Sequence, residues 1–179
     1  VIDRLRQEGI NVEADDKEKD KKLLAFRRNI VFPGLLFDLG FTGQREKKLL
    51  INIECESHNY KYEPEKPIIQ KFNVFTQIFA PSPSILLSMK TGAVLERGKG
   101  RDYYDFIFLS GIADPDFGYL EAKFGISSFT DLYNRILESI QETNFKLKSR
   151  DFEKLVFDQG ETKKVLFFNE YIQQKASQL

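Results

Sequence analysis

Apolar residues come in short bursts along the first half of the chain and recur at helical spacing along the second. "LLAFRRNIVF" (23–32), "LLFDLGF" (35–41) and "LLINIECES" (49–57) are separated by turn signals, Pro33-Gly34 and "TGQREKK". Short runs at this spacing predict three strands of an antiparallel meander. Residues 1–8 predict the last turns of an amphipathic helix, with Ile2 and Leu5 inward and Gly9 as its stop. "INVE" predicts a short strand, and the charge run "ADDKEKDKK" (14–22) an exposed turn. "YEPEKPIIQ", with two prolines, predicts a loop, and "KFNVFTQIF" a short strand or extended segment.

A helix then begins at "SPSILLSMK". Ser82 is its expected N-cap, Pro83 its first residue and Gly98 its end. "RDYYDFIFLSG" predicts a second helix stopped at Gly111, and "ADPDFGYLEAKFG" a loop and turn. Residues 127–148 predict one long amphipathic helix carrying Phe129, Leu132, Ile136, Leu137 and Ile140 on its apolar face, and the tail from 151 one or two more. Strands first and helices after define an α+β fold. The sheet-rich part is expected over residues 1–80 and the helical part over 81–179.

Composition narrows the function classes. The 179 residues are 41% hydrophobic, enough for a real core. With 27 basic and 27 acidic residues, no global field draws the chain to nucleic acid or membrane, so an anionic partner needs a local patch. No apolar run approaches the roughly 20 residues of a membrane span. The single cysteine, Cys55, excludes an internal disulfide framework and points to a reducing, cytoplasmic setting. The start has no secretory h-region and opens in mid-helix pattern, which suggests a fragment of a longer protein.

Two stretches carry candidate chemistry. Along the third strand, Ile51, Ile53 and Cys55 share one face and Asn52, Glu54 and Glu56 the other. The acidic face could hold a hard divalent cation, or simply face water on a one-sided sheet. His58 falls in a loop. The second stretch is "KTGAVLERGKGRDYYDF" (90–106). Lys90 lies beside an apolar helical stripe, and Asp102 and Asp105, three apart, share a face of the next helix. Lys90 and the two aspartates are expected to converge between the helices. The turn "RGKGR" adds three cations and two glycines that would let the backbone approach a phosphate. On these residues alone, a phosphate site and a partly buried ion-pair cluster stand level for Lys90 and Asp102. For Arg101 with Asp105, at i and i+4, the expectation is a structural ion pair.

The pattern "K...R.KGRDYYD" resembles the signature of the AbiEii-type toxin nucleotidyltransferases, in which a helical Lys precedes a basic turn and an R-D-x-x-D helix. The matching positions are Lys90, Arg97, Lys99, Arg101, Asp102 and Asp105, and "INIECES" resembles the family's acidic strand, with Glu54 as its carboxylate. The resemblance spans roughly residues 1–110. It implies a nucleotidyltransferase-like, mostly antiparallel sheet followed by helices. It also implies Mg²⁺-dependent transfer of a nucleotide from an NTP to an acceptor such as tRNA, and a cognate antitoxin in a bacterial toxin–antitoxin pair. Glu54 would be the metal-side carboxylate. Lys90 would contact phosphates, with Arg97, Lys99 and Arg101 on the nucleotide, and Asp102 and Asp105 would orient Lys90 and help position the nucleophile. The family's first motif, a Gly-Ser or Gly-Gly turn and then Asp-x-Asp on a strand, is absent. Asp114-Pro115-Asp116 follows the R-D-x-x-D helix and is expected to be a turn. The missing motif would lie just before residue 1, so the chain as given is expected to bind Mg-NTP weakly and transfer nothing. The alternative is a non-catalytic protein-interaction module of the same fold. A nuclease built on Glu54 and Glu56 ranks last, because no Lys follows Glu56 at the required step.

Overall fold

A computed structural model describes residues 1–15, 26–55, 57–71 and 73–179. The chain is mixed α and β and divides into two compact units, Val1–Asn59 and Tyr60–Leu179. Among the described residues no helix is long and apolar enough to cross a membrane.

In the first unit, helix α1 (Ile2–Gln7) ends as expected at Gly9, whose φ of 82° lets the Ile10 amide fold back onto the Leu5 carbonyl. Strands β1 (Glu13–Asp15), β2 (Phe26–Pro33) and β3 (Lys48–Cys55) form an antiparallel sheet in that order. The β2–β3 register sets Ile30 opposite Ile51 and Phe32 opposite Leu49. Val12, Ile30 and Phe32 make a small core that Ile2, Leu5, Ile10, Leu35 and Leu49 flank. The charge run at 14–22, the start of the second expected strand at 23–25 and Glu56 fall largely or wholly outside the described residues.

One expected strand is absent here. "LLFDLGF" holds a single helical turn, α2 (Leu35–Asp38). Gly34 at φ 73° swings the chain out of the extended state, and the Asp38 amide closes the turn on the Gly34 carbonyl at 2.9 Å. Leu39 and Phe41 are left exposed, so the apparent alternation corresponds to no buried face.

The second unit opens with a hairpin, β4 (Ile68–Lys71) and β5 (Val74–Gln77), whose strand residues are all exposed. Helices follow: α3 (Pro83–Glu96), α4 (Gly100–Ser110), α5 (Phe117–Phe124), α6 (Phe129–Ile140), α7 (Phe145–Glu153), α8 (Thr162–Leu166) and α9 (Phe168–Ser177). Helix α4 supplies the centre of the core. Its buried Tyr103 and Phe106 meet Phe168 at ring-centroid distances of 4.6 and 5.7 Å, and Phe145 meets Tyr103 at 5.2 Å. Leu132, Ile136 and Ile140 bury the face of α6 expected from their spacing.

Two expectations are corrected in this unit, both through side-chain caps. Residues 117–124 form helix α5 and not a loop, because the Asp116 carboxylate accepts the Tyr119 amide at 2.7 Å and Gly125, at φ 67°, supplies the stop. The long helix at 127–148 is two helices. The Asn144 side chain accepts the Leu147 amide at 3.2 Å and starts α7 in a new direction, after the turn at 141–144.

Phe168 is fully buried among three aromatic rings. Phe168→Ala is expected to cost the helical unit roughly 3–5 kcal/mol. The fully exposed Phe157 should tolerate the same change within about 0.5 kcal/mol. Urea unfolding followed by circular dichroism measures both.

Candidate functional site

Local sequence fixes the hairpin of helices that carries the charge cluster. Ser82 accepts the Ile85 amide at 3.3 Å and Pro83 occupies the first turn, so α3 starts where the sequence predicts. Ser88 and Thr91 are fully buried on this helix, with hydroxyls donated to the Ser84 and Leu87 carbonyls at 3.0 Å. Lys90 lies between them in the sequence with 28% of its side chain exposed. The helix ends at Gly98, whose φ is 50° and whose amide reaches the Ala93 carbonyl at 3.0 Å. A side chain at Gly98 would also overlap the Tyr103 hydroxyl.

The chain then reverses and α4 begins. Its third residue, Asp102, is fully buried and accepts three hydrogen bonds. Arg97 donates Nε to Oδ2 at 2.9 Å and Nη2 to Oδ1 at 2.7 Å, and the Lys99 amide donates to Oδ2 at 3.1 Å. The Arg97 pair is bidentate and charge-assisted, the strongest of the ordinary side-chain contacts. The hydrogen bond to Asp102 holds the guanidinium pKa up against the opposing effect of burial. The Lys99 contact satisfies one of the orphan amides at the helix start.

Lys90 meets both aspartates. Its ammonium is 2.5 Å from Asp105 Oδ2 and 4.0 Å from Asp102 Oδ1. The expected convergence of Lys90, Asp102 and Asp105 is therefore present. The two carboxylates differ in access: Asp102 is sealed, whereas 35% of the Asp105 side chain is exposed. The expected Arg101–Asp105 ion pair is not formed. Asp105 is held by Lys90 from the neighbouring helix, and Arg101 is exposed without an ion-pair partner among the described residues.

The two glycines of "RGKGR" both serve close packing within the protein. Gly98 makes room for Tyr103. Gly100 is buried where a Cβ would overlap the Lys148 carbonyl of α7 and crowd Phe152. Gly98 thus accommodates Tyr103 at the turn, and Gly100 permits the close approach of helix α4 to helix α7.

Glu54 lies on β3 of the first unit, exposed, opposite Arg27 in register, and accepts the Asn52 side-chain amide at 2.9 Å. Ile51, Ile53 and Cys55, on the alternate positions, are exposed too. His58 is an exposed loop residue. In Asp114-Pro115-Asp116, Asp116 caps α5, accepts the Tyr60 hydroxyl at 3.3 Å and pairs its backbone with Ser88. That motif is a structural turn, as the proline implies.

Among the described residues no group of three or more His, Cys, Asp or Glu side chains could hold a metal ion. The cluster at Lys90 does not fit Mg²⁺, since Asp102 is fully buried with three hydrogen bonds from Arg97 and Lys99, which leaves Asp105, ion-paired to Lys90, as its one accessible carboxylate. A separate cleft of about 410 Å³ lies between α3, α5 and α6, with Leu95 and Phe124 beside Glu96, Arg135 and Glu138. The sequence shows these last residues only as the polar face of α6 and the end of α3. Comparison with protein-family models, curated proteins and solved structures finds no match.

The difference in burial predicts different costs for two chemically identical deletions. Asp102→Ala breaks a buried pair, worth roughly 3–5 kcal/mol, and the half-exposed Arg97, free to resolvate, sets the loss at the low end of that range. Asp105→Ala breaks a partly solvated pair and should cost roughly 1 kcal/mol or less. Denaturant unfolding of the two variants side by side checks the order.

Proposed function

We propose that this chain carries the lysine–aspartate half of a nucleotidyltransferase-like enzyme that transfers a nucleotide from an NTP to an acceptor such as tRNA. In this reading the enzyme is the toxin of a bacterial toxin–antitoxin pair, with the antitoxin as its protein partner. The observation that carries the proposal is the placement of Lys90. Its ammonium is aimed by two carboxylates of the facing helix, and more than a quarter of its side chain remains open to solvent. A lysine so held loses little freedom when it meets a phosphate oxygen. It can stabilise the charge that spreads over the transferring group, the main source of catalysis in phosphoryl transfer.

The residue roles follow from access. Lys90 contacts phosphate. Asp105 sets the direction of Lys90 and, being accessible, can face the acceptor. Asp102 acts through Arg97 and the start of α4, and is a positioning residue. Mg²⁺ would accompany the NTP and supply charge compensation. Glu54 is the carboxylate that the resemblance assigns to the metal, and no step of the reaction is derived through the metal.

A second reading has an observation of its own. Lys90, Arg97, Asp102 and Asp105 neutralise one another, and both glycines of the turn are explained by packing. That is what a non-catalytic module of the same fold would need to join two helices.

A paired measurement on Lys90→Ala separates the two. In a protein that also has the Gly-Ser and Asp-x-Asp segment upstream of residue 1, catalysis predicts a loss of labelled-nucleotide transfer by several orders of magnitude. The accompanying loss of stability should be on the order of 1 kcal/mol. A large loss of stability with full specific activity in the folded fraction returns Lys90 to the ion-pair network. The 179-residue chain by itself should transfer nothing onto total RNA; EDTA-sensitive labelling by it would contradict the assignment of the metal carboxylates.

A further inference from the structure

We infer that the cleft between α3, α5 and α6 is a binding site for a zwitterionic amino acid with a large apolar side chain. The inference is independent of the transferase reading, because the cleft shares no residue with the Lys90–Asp102–Asp105 cluster. Its lining comes from three helices. Leu95 and Glu96 end α3, Phe124 ends α5, and Arg135, Glu138 and Ser139 lie in the second half of α6. A volume of about 410 Å³ falls in the range of small-ligand sites, roughly 300–1,000 Å³.

Packing sets the floor. Gly92 is buried in α3, and a Cβ there would overlap the tip of the Phe124 ring. Leu95 and Glu96 follow Gly92 by three and four positions, so all three share one face of α3. The Phe124 ring is therefore seated on the face that carries Leu95 and Glu96. Leu95 and Phe124 are both half-buried, which leaves part of each to a ligand.

Charge sets the walls. Glu96, Arg135 and Glu138 are exposed, and none of them has a side-chain hydrogen bond or an ion-pair partner among the described residues. Arg97 feels the charge of Glu96, its neighbour in the chain, but two bonds to Asp102 already hold it. Ser139 donates its hydroxyl to the Ile136 carbonyl at 2.8 Å, so its oxygen is left to accept.

The cleft thus offers two carboxylates, one guanidinium and one acceptor hydroxyl around an apolar floor. A neutral apolar ligand would strip water from three charges and replace none of it. A simple cation would meet Arg135, and a simple anion would meet both glutamates. A zwitterion satisfies both signs. Its ammonium, with three donors, can serve Glu96, Glu138 and Ser139. Its carboxylate can take two parallel bonds from Arg135. Its side chain then covers Leu95 and Phe124.

The test titrates the 179-residue chain with L-phenylalanine, phenethylamine and 3-phenylpropionate, followed by amide NMR. The three probes share a phenyl ring on a short chain, and the last two each lack one charged group of the first. Phenylalanine should bind more tightly than either, and should shift the amides of Gly92, Phe124 and Ser139 but not those of Lys90 and Asp102. Arg135→Gln should weaken phenylalanine binding roughly tenfold and tighten phenethylamine binding. Glu138→Gln should weaken both and tighten 3-phenylpropionate binding. Lys146→Gln, on α7 and outside the cleft, is the control and should change none of them. The exposed positions of all three substitutions should leave far-UV circular dichroism unchanged. No saturable shift with phenylalanine would overturn the inference, as would a phenylalanine affinity that Arg135→Gln and Glu138→Gln leave unchanged. Phenethylamine binding as tightly as phenylalanine would also overturn it and assign the cleft to organic cations. Equal binding of 3-phenylpropionate would overturn it in favour of organic anions.

Discussion

The bidentate contact between Arg97 and Asp102 is the constraint on which the helical unit depends. Its partners bracket the reversal between α3 and α4, one at the end of the first helix and one in the first turn of the second. Two parallel hydrogen bonds fix the angle at which α4 leaves. That angle decides whether Tyr103 and Phe106 reach Phe168 and whether Asp105 faces Lys90. Burying a carboxylate is costly, and the guanidinium and the Lys99 amide offset that cost without a large surplus. The contact thus contributes mainly by excluding other directions for α4.

The same contact divides labour between two aspartates that look equivalent in the sequence. Asp102, fully buried and already accepting three hydrogen bonds from Arg97 and the Lys99 amide, presents no open edge to a metal or a nucleophile. Asp105, one helical turn further on, keeps one face toward water. The cluster is thus part scaffold and part reactive surface, and each group belongs to one or the other according to how deeply it is buried.

Helix starts marked by a conventional cap were legible in the sequence. Ser82-Pro83 and the stops at Gly98 and Gly111 place α3 and α4 where the pattern puts them. The Lys90–Asp102–Asp105 convergence followed from helical spacing alone. Errors arose where one polar residue outweighed the local pattern. Asp116 and Asn144 each start a helix by accepting a single amide, and neither stands out from a polar loop when read along the chain. Gly34 ends a strand that the apolar run after it seems to continue. Partner choice was the least legible. Nothing in the sequence says that Asp105 takes Lys90 and not Arg101, or that Gly100 touches Lys148, since both depend on how helices meet across gaps of many residues.

The hairpin of β4 and β5 carries a different kind of consequence. A two-stranded ribbon has only edges, and a ribbon exposed on both faces is marginally stable in water. Ile68, Ile69, Val74 and Phe75 all stand in solvent, and Lys71 is the one charged residue in the two strands to discourage a neighbour. Handled at high concentration, the protein carries a colloidal liability here: strand-to-strand pairing between copies can begin at this ribbon, none of whose residues belongs to the Lys90–Asp102–Asp105 cluster.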